Sequence, residues 1–249
     1  MKIIPNKIKP TKGYAHAFHL ALSAVLPMIV FILVRISFSQ IAALLILVSK
    51  WRMLTVRVRF WPAIIRASSI DIIVGLSTVV FMAHTSSARD QFIFTLLFIA
   101  WQIWIKPGRS VLSVSSQSYI GQTYGLVALY VGWPDASIGA LVSATWLIAY
   151  VSARHFLGSF EESHSQMYSF VWSYFSASLT WVAVHWLLFY GLVPQIALLL
   201  TIVSAGLGSL YFLDKTDKYS KLLQRQIVFI TIAIIVVMFS FSEWGSKII

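Results

Sequence analysis

The sequence predicts an all-α fold: a polytopic transmembrane bundle of about nine helices, with a cytoplasmic N-terminus. Three observations carry that prediction. Apolar residues make up 59% of the 249-residue chain and charged residues only 11%, against about 45–50% and about 25% in ordinary soluble domains. Apolar runs long enough to meet lipid recur from end to end, separated by short polar connections. Lys and Arg, which bring the formal net charge to +11, cluster on alternate connections, as the positive-inside rule requires.

The first twelve residues carry Lys2, Lys7, Lys9 and Lys12. The apolar stretch that follows is too long for a signal-peptide core and ends without a small-residue cleavage site, so residues 1–14 read as a basic cytoplasmic N-terminus before a signal-anchor helix. Helical spans are expected over 15–34, 36–50, 67–83, 90–105, 113–132, 136–153, 168–190, 192–212 and 226–242. The second and fourth are short, with Lys50, Trp51 and Lys106 placed to snorkel. Alternating the connections from an inner N-terminus leaves only Arg35, Arg89 and Lys247 outside. Fusing 15–50 into one bent span gives eight crossings and weakens that bias. All 249 residues form one integral membrane domain, with no room for a soluble one.

The longest inner connection, 51–66, reads as an interfacial segment. Arg52, Arg57 and Arg59 would meet anionic headgroups, with Val56, Val58 and Phe60 between them and Pro62 beyond. Residues 213–225 form a second basic inner connection. Basic residues so distributed imply anionic lipids as partners rather than nucleic acid, and docking of a membrane partner or of a second copy is the other use for them.

Polar residues at membrane depth are costly and point to function. Asp71 is the clearest: either a proton- or cation-responsive carboxylate facing a cavity, or one paired with Arg66, Arg154 or a helix N-terminus. The fifth span has a polar inner half, in which Ser115, Ser118, Gln122 and Gly125 share one helical face and Thr123 lies beside it. That stripe lines a wet path or hydrogen-bonds to neighbouring helices. Gly121 and Gly125, and likewise Ser204 and Gly208, are small-xxx-small pairs suited to close helix packing. In the seventh span, Trp172, Phe175, Leu179, Val182 and Trp186 follow helical spacing and read as an aromatic packing face, with His185 among them.

His16 with His19, and His155 with Glu161 and His164, are the metal candidates at the inner ends of spans. Glu161 and His164 make half of a di-iron-like pattern, and no second copy occurs. The bland alternative pairs Arg154 with Glu161 and Glu162 in a solvated turn. There is no Cys, no Walker A loop, no HExxH and no GxSxG, and no cofactor is implied.

One stretch, about 66–154, resembles the membrane module of the fusaric-acid-resistance or aromatic-acid-exporter family. The parallels are Arg66-Ala67, Phe92 to Trp104, Lys106-Pro107-Gly108, Gly121-Gln122-Thr123-Tyr124-Gly125, and the span ending at Arg154-His155. The Arg that usually precedes the glycine pair is replaced by Tyr119 and Ile120, and the family's large soluble domain has no counterpart. The resemblance implies export of an organic anion across a bacterial inner membrane. With Asp71 and the polar stripe, it makes a small secondary transporter the expected function. A non-catalytic scaffold subunit is the alternative, and a metal-dependent intramembrane enzyme a third.

Overall fold

The computed structural model describes residues 14–50, 57, 59, 61–108, 110–184, 189–190, 193–217 and 220–242; at 14–20, 22, 62, 63, 66, 189 and 190 only the backbone is described. These residues form an all-α bundle. In order, α1 spans Tyr14–Arg35, α2 Ser39–Val48, α3 Trp61–Ala83 and α4 Ala88–Ala100, which continues as a π-helical turn over Trp101–Ile105. Then follow α5 (Val111–Gly132), α6 (Ile138–Gly158), α7 (Ser165–Ala183), α8 (Gln195–Lys215) and α9 (Lys221–Ser240). A two-residue antiparallel pair, β1 (Phe189–Tyr190) and β2 (Val193–Pro194), leads into α8.

Local chemistry sets these boundaries. The Phe38 amide donates to the Leu33 carbonyl at 2.8 Å and the Ser37 amide to that of Val34 at 3.0 Å, with Ser37 at φ 65°. That is a Schellman closure. It ends α1 and makes 15–50 two helices, not one bent rod. Ser110, Ser137 and Ser220 cap α5, α6 and α9 by accepting from the amides of Ser113, Ala140 and Leu223. α3 starts six residues before the expected 67, because Pro62 fits a first helical turn, where no intrahelical N–H bond is needed. α7 ends at Ala183, and Phe189–Tyr190, expected in the same span, form a strand; His185 and Trp186 lie outside the described residues.

By length and composition, α6, α8 and α9 are each long and apolar enough to cross a membrane. α5 and α7 have the length, but buried Ser, Thr and Gln dilute their hydropathy. The apolar core has two centres. One gathers Val30, Ile46, Val74, Met82 and Phe98 from α1–α4; the other gathers Leu126, Tyr130, Leu141, Ile196 and Leu200 from α5, α6 and α8. Glycines join the halves. A methyl group at Gly121 would come within 2.8 Å of Ile70 on α3, and one at Gly125 within 2.7 Å of Ile73 and 3.1 Å of Ile148. Only missing side chains let these backbones approach so closely.

The face that α7 turns inward matches the expected one only in part: Leu179 packs against the second apolar centre and Trp172 is half-buried, but the fully buried positions are hydroxyl residues. Ser169, Ser173, Ser176 and Thr180 are fully buried, whereas Phe175, Val182 and Trp181 are exposed and Tyr174 is 63% exposed. Small hydroxyl residues allow α6 and α7 to pack closely. The buried Tyr130 hydroxyl ties this packing together, meeting Thr145 at 2.8 Å and Thr180 at 3.2 Å.

Candidate functional site

Asp71 lies midway along α3, 7% exposed, and its carboxylate is surrounded by donors. Lys50, just past α2, pairs with Oδ2, and Lys106 reaches the same oxygen at 2.8 Å. Trp101 Nε1 donates to Oδ1 at 2.9 Å and Gln102 Nε2 at 3.4 Å. The π-helical turn makes this possible. In an α-helix, residues 101 and 106 would point about 140° apart. Here the Lys106 amide bonds to the Trp101 carbonyl at 2.9 Å, and the wider turn brings both to one side. The partners are therefore two lysines. Of the expected partners, Arg154 donates instead to Ser165, and the Arg66 side chain lies outside the described residues.

A separate cavity of about 290 Å³ opens among α5, α6, α7 and α8. Ser118, Tyr119 and Gln122 face it from α5, Ser152 and Phe156 from α6, Trp172 from α7, and Ser204, Gly208 and Tyr211 from α8. The Gln122 amide is its polar centre. It donates to the Leu200 carbonyl and accepts from Trp172 Nε1 and Ser204 Oγ, each at 3.4 Å. These bonds are at the long limit, so a ligand can compete for them. Ser152 is 2% exposed, and its hydroxyl has no hydrogen-bond partner among the described residues. An unsatisfied buried hydroxyl costs about 1–3 kcal/mol. The contrast with Ser115, Ser118, Ser169 and Ser176 is informative, since each of those bonds to a carbonyl four residues back.

At one side of the cavity, the Tyr211 hydroxyl donates to Glu162 at 2.5 Å, and Lys215 pairs with the same carboxylate at 2.8 Å. Those two hydrogen bonds, the lysine's being the stronger influence, hold the Glu162 carboxyl down to about 2. Glu162 thus pairs with Lys215, where the sequence had suggested Arg154.

The expected site residues divide between these places. Ser118 and Gln122 line the cavity, as do the packing pair Ser204 and Gly208. Ser115 and Thr123 do not; Ser115 bonds back to Val111, and Thr123 meets Thr201 of α8 at 3.1 Å. Asp71 lies on the α2 and α4 side of α3, away from the cavity. Gln117, in the same polar stripe, donates to the Ile105 and Gly108 carbonyls at 2.7 and 3.1 Å, finishing the π turn, and meets His155 at 3.1 Å. Sequence reasoning missed Ser152. The run Leu141, Thr145, Ala149 and Ser152 at helical spacing, all buried, was its available signal.

On the opposite face of α6, Arg154, His155, Ser159 and Ser165 border a second hollow of about 460 Å³. Among the described residues no three His, Asp or Glu side chains converge as metal ligands. His155 bonds to Gln117, and His164 stands against Ser163 and the Tyr168 ring. The side chains of His16 and His19 lie outside the described residues, as does Arg52, while Arg57 and Arg59 are exposed.

No family model, curated protein or solved structure matches this chain.

Proposed function

We propose that the chain is a multi-pass protein of a bacterial inner membrane and works as a small secondary transporter, exporting an organic anion. The observation that carries this reading is the cavity among α5–α8, with Gln122 loosely held and the Ser152 hydroxyl unpaired. A buried polar group without a partner is a cost that ligand binding removes. The organic-anion part rests on the sequence resemblance, and the Arg154 and His155 hollow supports it as a first contact for negative charge.

The membrane topology in this proposal has nine spans, with the N-terminus inside and the C-terminus outside. α2 has only ten residues, about 15 Å of helix. Two levels in the bundle support counting it as a crossing. Lys50 and Lys106 meet at Asp71, midway along α3, whereas Arg35 reaches the Ser86 carbonyl just past the C-terminal end of that helix. α2 and its flanking turns run from one level to the other. Local thinning and a snorkelling Lys50 make up the shortfall.

Proteoliposomes test the transport reading. Efflux of labelled 2-naphthoate should exceed that from protein-free vesicles, and Gln122→Leu should slow it about tenfold, a loss of about 1.4 kcal/mol. A rate equal to protein-free vesicles sinks the proposal. A scaffold subunit is the second reading. It is favoured by α9, which packs chiefly on α8 and leaves Leu222, Phe229 and Ile232 exposed; a stable partner that co-purifies, with no transport, would decide for it.

A further inference from the structure

The wall of the α5–α8 cavity carries no charge. Its titratable members are Tyr119 from α5, Tyr168 from α7 and Tyr211 from α8, and α6 presents only Ser152, Ala153, Phe156 and Leu157. Among the described residues, the cations near the bundle's interior are otherwise engaged. Lys215, behind Tyr211, is paired with Glu162, and Lys50 and Lys106 share Asp71. Arg154 and His155 belong to the hollow on the other face of α6. His164 lies beside the wall residue Tyr168, at 6.3 Å between rings. An ionised carboxylate entering here would lose its water and find neutral hydroxyls, an amide and ring faces, which do not repay a full charge.

The remaining features describe a ligand. Trp172 and Phe156 supply flat apolar surface. Gln122 offers a donor and an acceptor on weak bonds, and the unpaired hydroxyl of the wall residue Ser152, covered in this packing, reaches a ligand by rotating toward the cavity. About 290 Å³ is at the small end of ligand pockets, which run from about 300 Å³, and suits one or two fused rings.

We propose that this cavity binds an uncharged, flat-ringed molecule with one hydrogen-bonding group, seated between Gln122 and Ser152, so that an organic acid enters with its proton. The inference rests on the transport reading only for its consequence, that one proton accompanies each acid carried. Binding itself is measured apart from transport.

Equilibrium dialysis of the purified full chain in detergent, between pH 5.5 and 8, separates the outcomes. 2-Naphthol should bind with an affinity that does not change over this range. That arm also cancels any effect of His164, or of another protein group, on the cavity. 2-Naphthoic acid should weaken about tenfold per pH unit, following its neutral fraction. Ser152→Ala should weaken 2-naphthol about fivefold, as expected for one hydrogen bond, and leave naphthalene unchanged. Equal binding of 2-naphthoate at pH 5.5 and pH 8 overturns the proposal, and so does failure of 2-naphthol to bind at 1 mM. The predicted binding pattern without efflux from proteoliposomes supports the cavity assignment and removes the transporter reading instead.

Discussion

A carboxylate inside a helix bundle stays ionised only through its partners, and Asp71 has two lysines, an indole and an amide. Removing it strands the lysine charges. Asp71→Asn should therefore destabilise the protein by about 3 kcal/mol, read as a lower melting temperature in detergent. Adding Lys50→Met should recover more than half of that loss; no recovery would mean that Lys50 does not depend on Asp71. Glu162 makes a pH-dependent prediction. Its carboxyl sits at about 2, below the ordinary 4.5. Its stabilising contribution is thus fully present above pH 4.5 and is lost as pH falls toward 2. The melting temperature of Glu162→Gln should lie below that of the unaltered chain at pH 6 and converge with it by about pH 2. At this scale the sequence exposed Asp71 and Gln122, because charge and amide are rare among apolar neighbours. It could not reveal their partners. Lys50, Lys106, Trp172 and Leu200 come from distant segments and meet only through packing.

Helix positions were legible because runs of apolar residues are long and the polar breaks between them are short. Each of the nine expected segments overlaps a helix among the described residues, and the ends moved where a cap or Pro62 decided. Which face turns inward was less legible. On α7 the aromatic stripe is split: Trp172 and Leu179 pack inward, whereas Phe175 and Val182 are exposed and the serines are buried. The usual rule that apolar residues seek the interior presumes water outside, and in the proposed membrane setting it would lose force. The glycine seam was readable, since a missing side chain permits close approach whatever the solvent. Gly125→Val should overpack the contact with Ile73 and Ile148 and cost about 1–3 kcal/mol. Gly139→Ala, with nothing within 4 Å, should change stability by less than about 0.5 kcal/mol. Similar melting temperatures for the two variants would refute a tight α3–α5–α6 seam.

For the whole molecule, the two apolar centres divide the bundle into α1–α4 around Phe98 and α5–α8 around Leu200, with the cavity wholly in the second half. The proposed topology is open to a clean test, because the chain has no cysteine. Ser86→Cys and Asp135→Cys, in the connections after α3 and α5, should react with an impermeant maleimide in intact cells. Ser163→Cys, between α6 and α7, should react only after permeabilisation. Labelling of Ser163→Cys in intact cells would reverse the assignment of sides.

The cluster around Asp71 has a consequence for how the chain is made. Its members are separated in sequence, with Lys50 before α3 and Lys106 after α4. During synthesis, Asp71 leaves the ribosome with Lys50 already available and Lys106 still 35 residues away. In the proposed topology α3 would enter the membrane with one counter-charge at hand, and its second arrives only when the π-helical turn has formed. Gln117 of α5 then donates to the Ile105 and Gly108 carbonyls, so the cluster around Asp71 is complete only once α5, which also supplies Ser118 and Gln122 to the cavity wall, has followed it, and the two halves of the bundle are tied together at that helix.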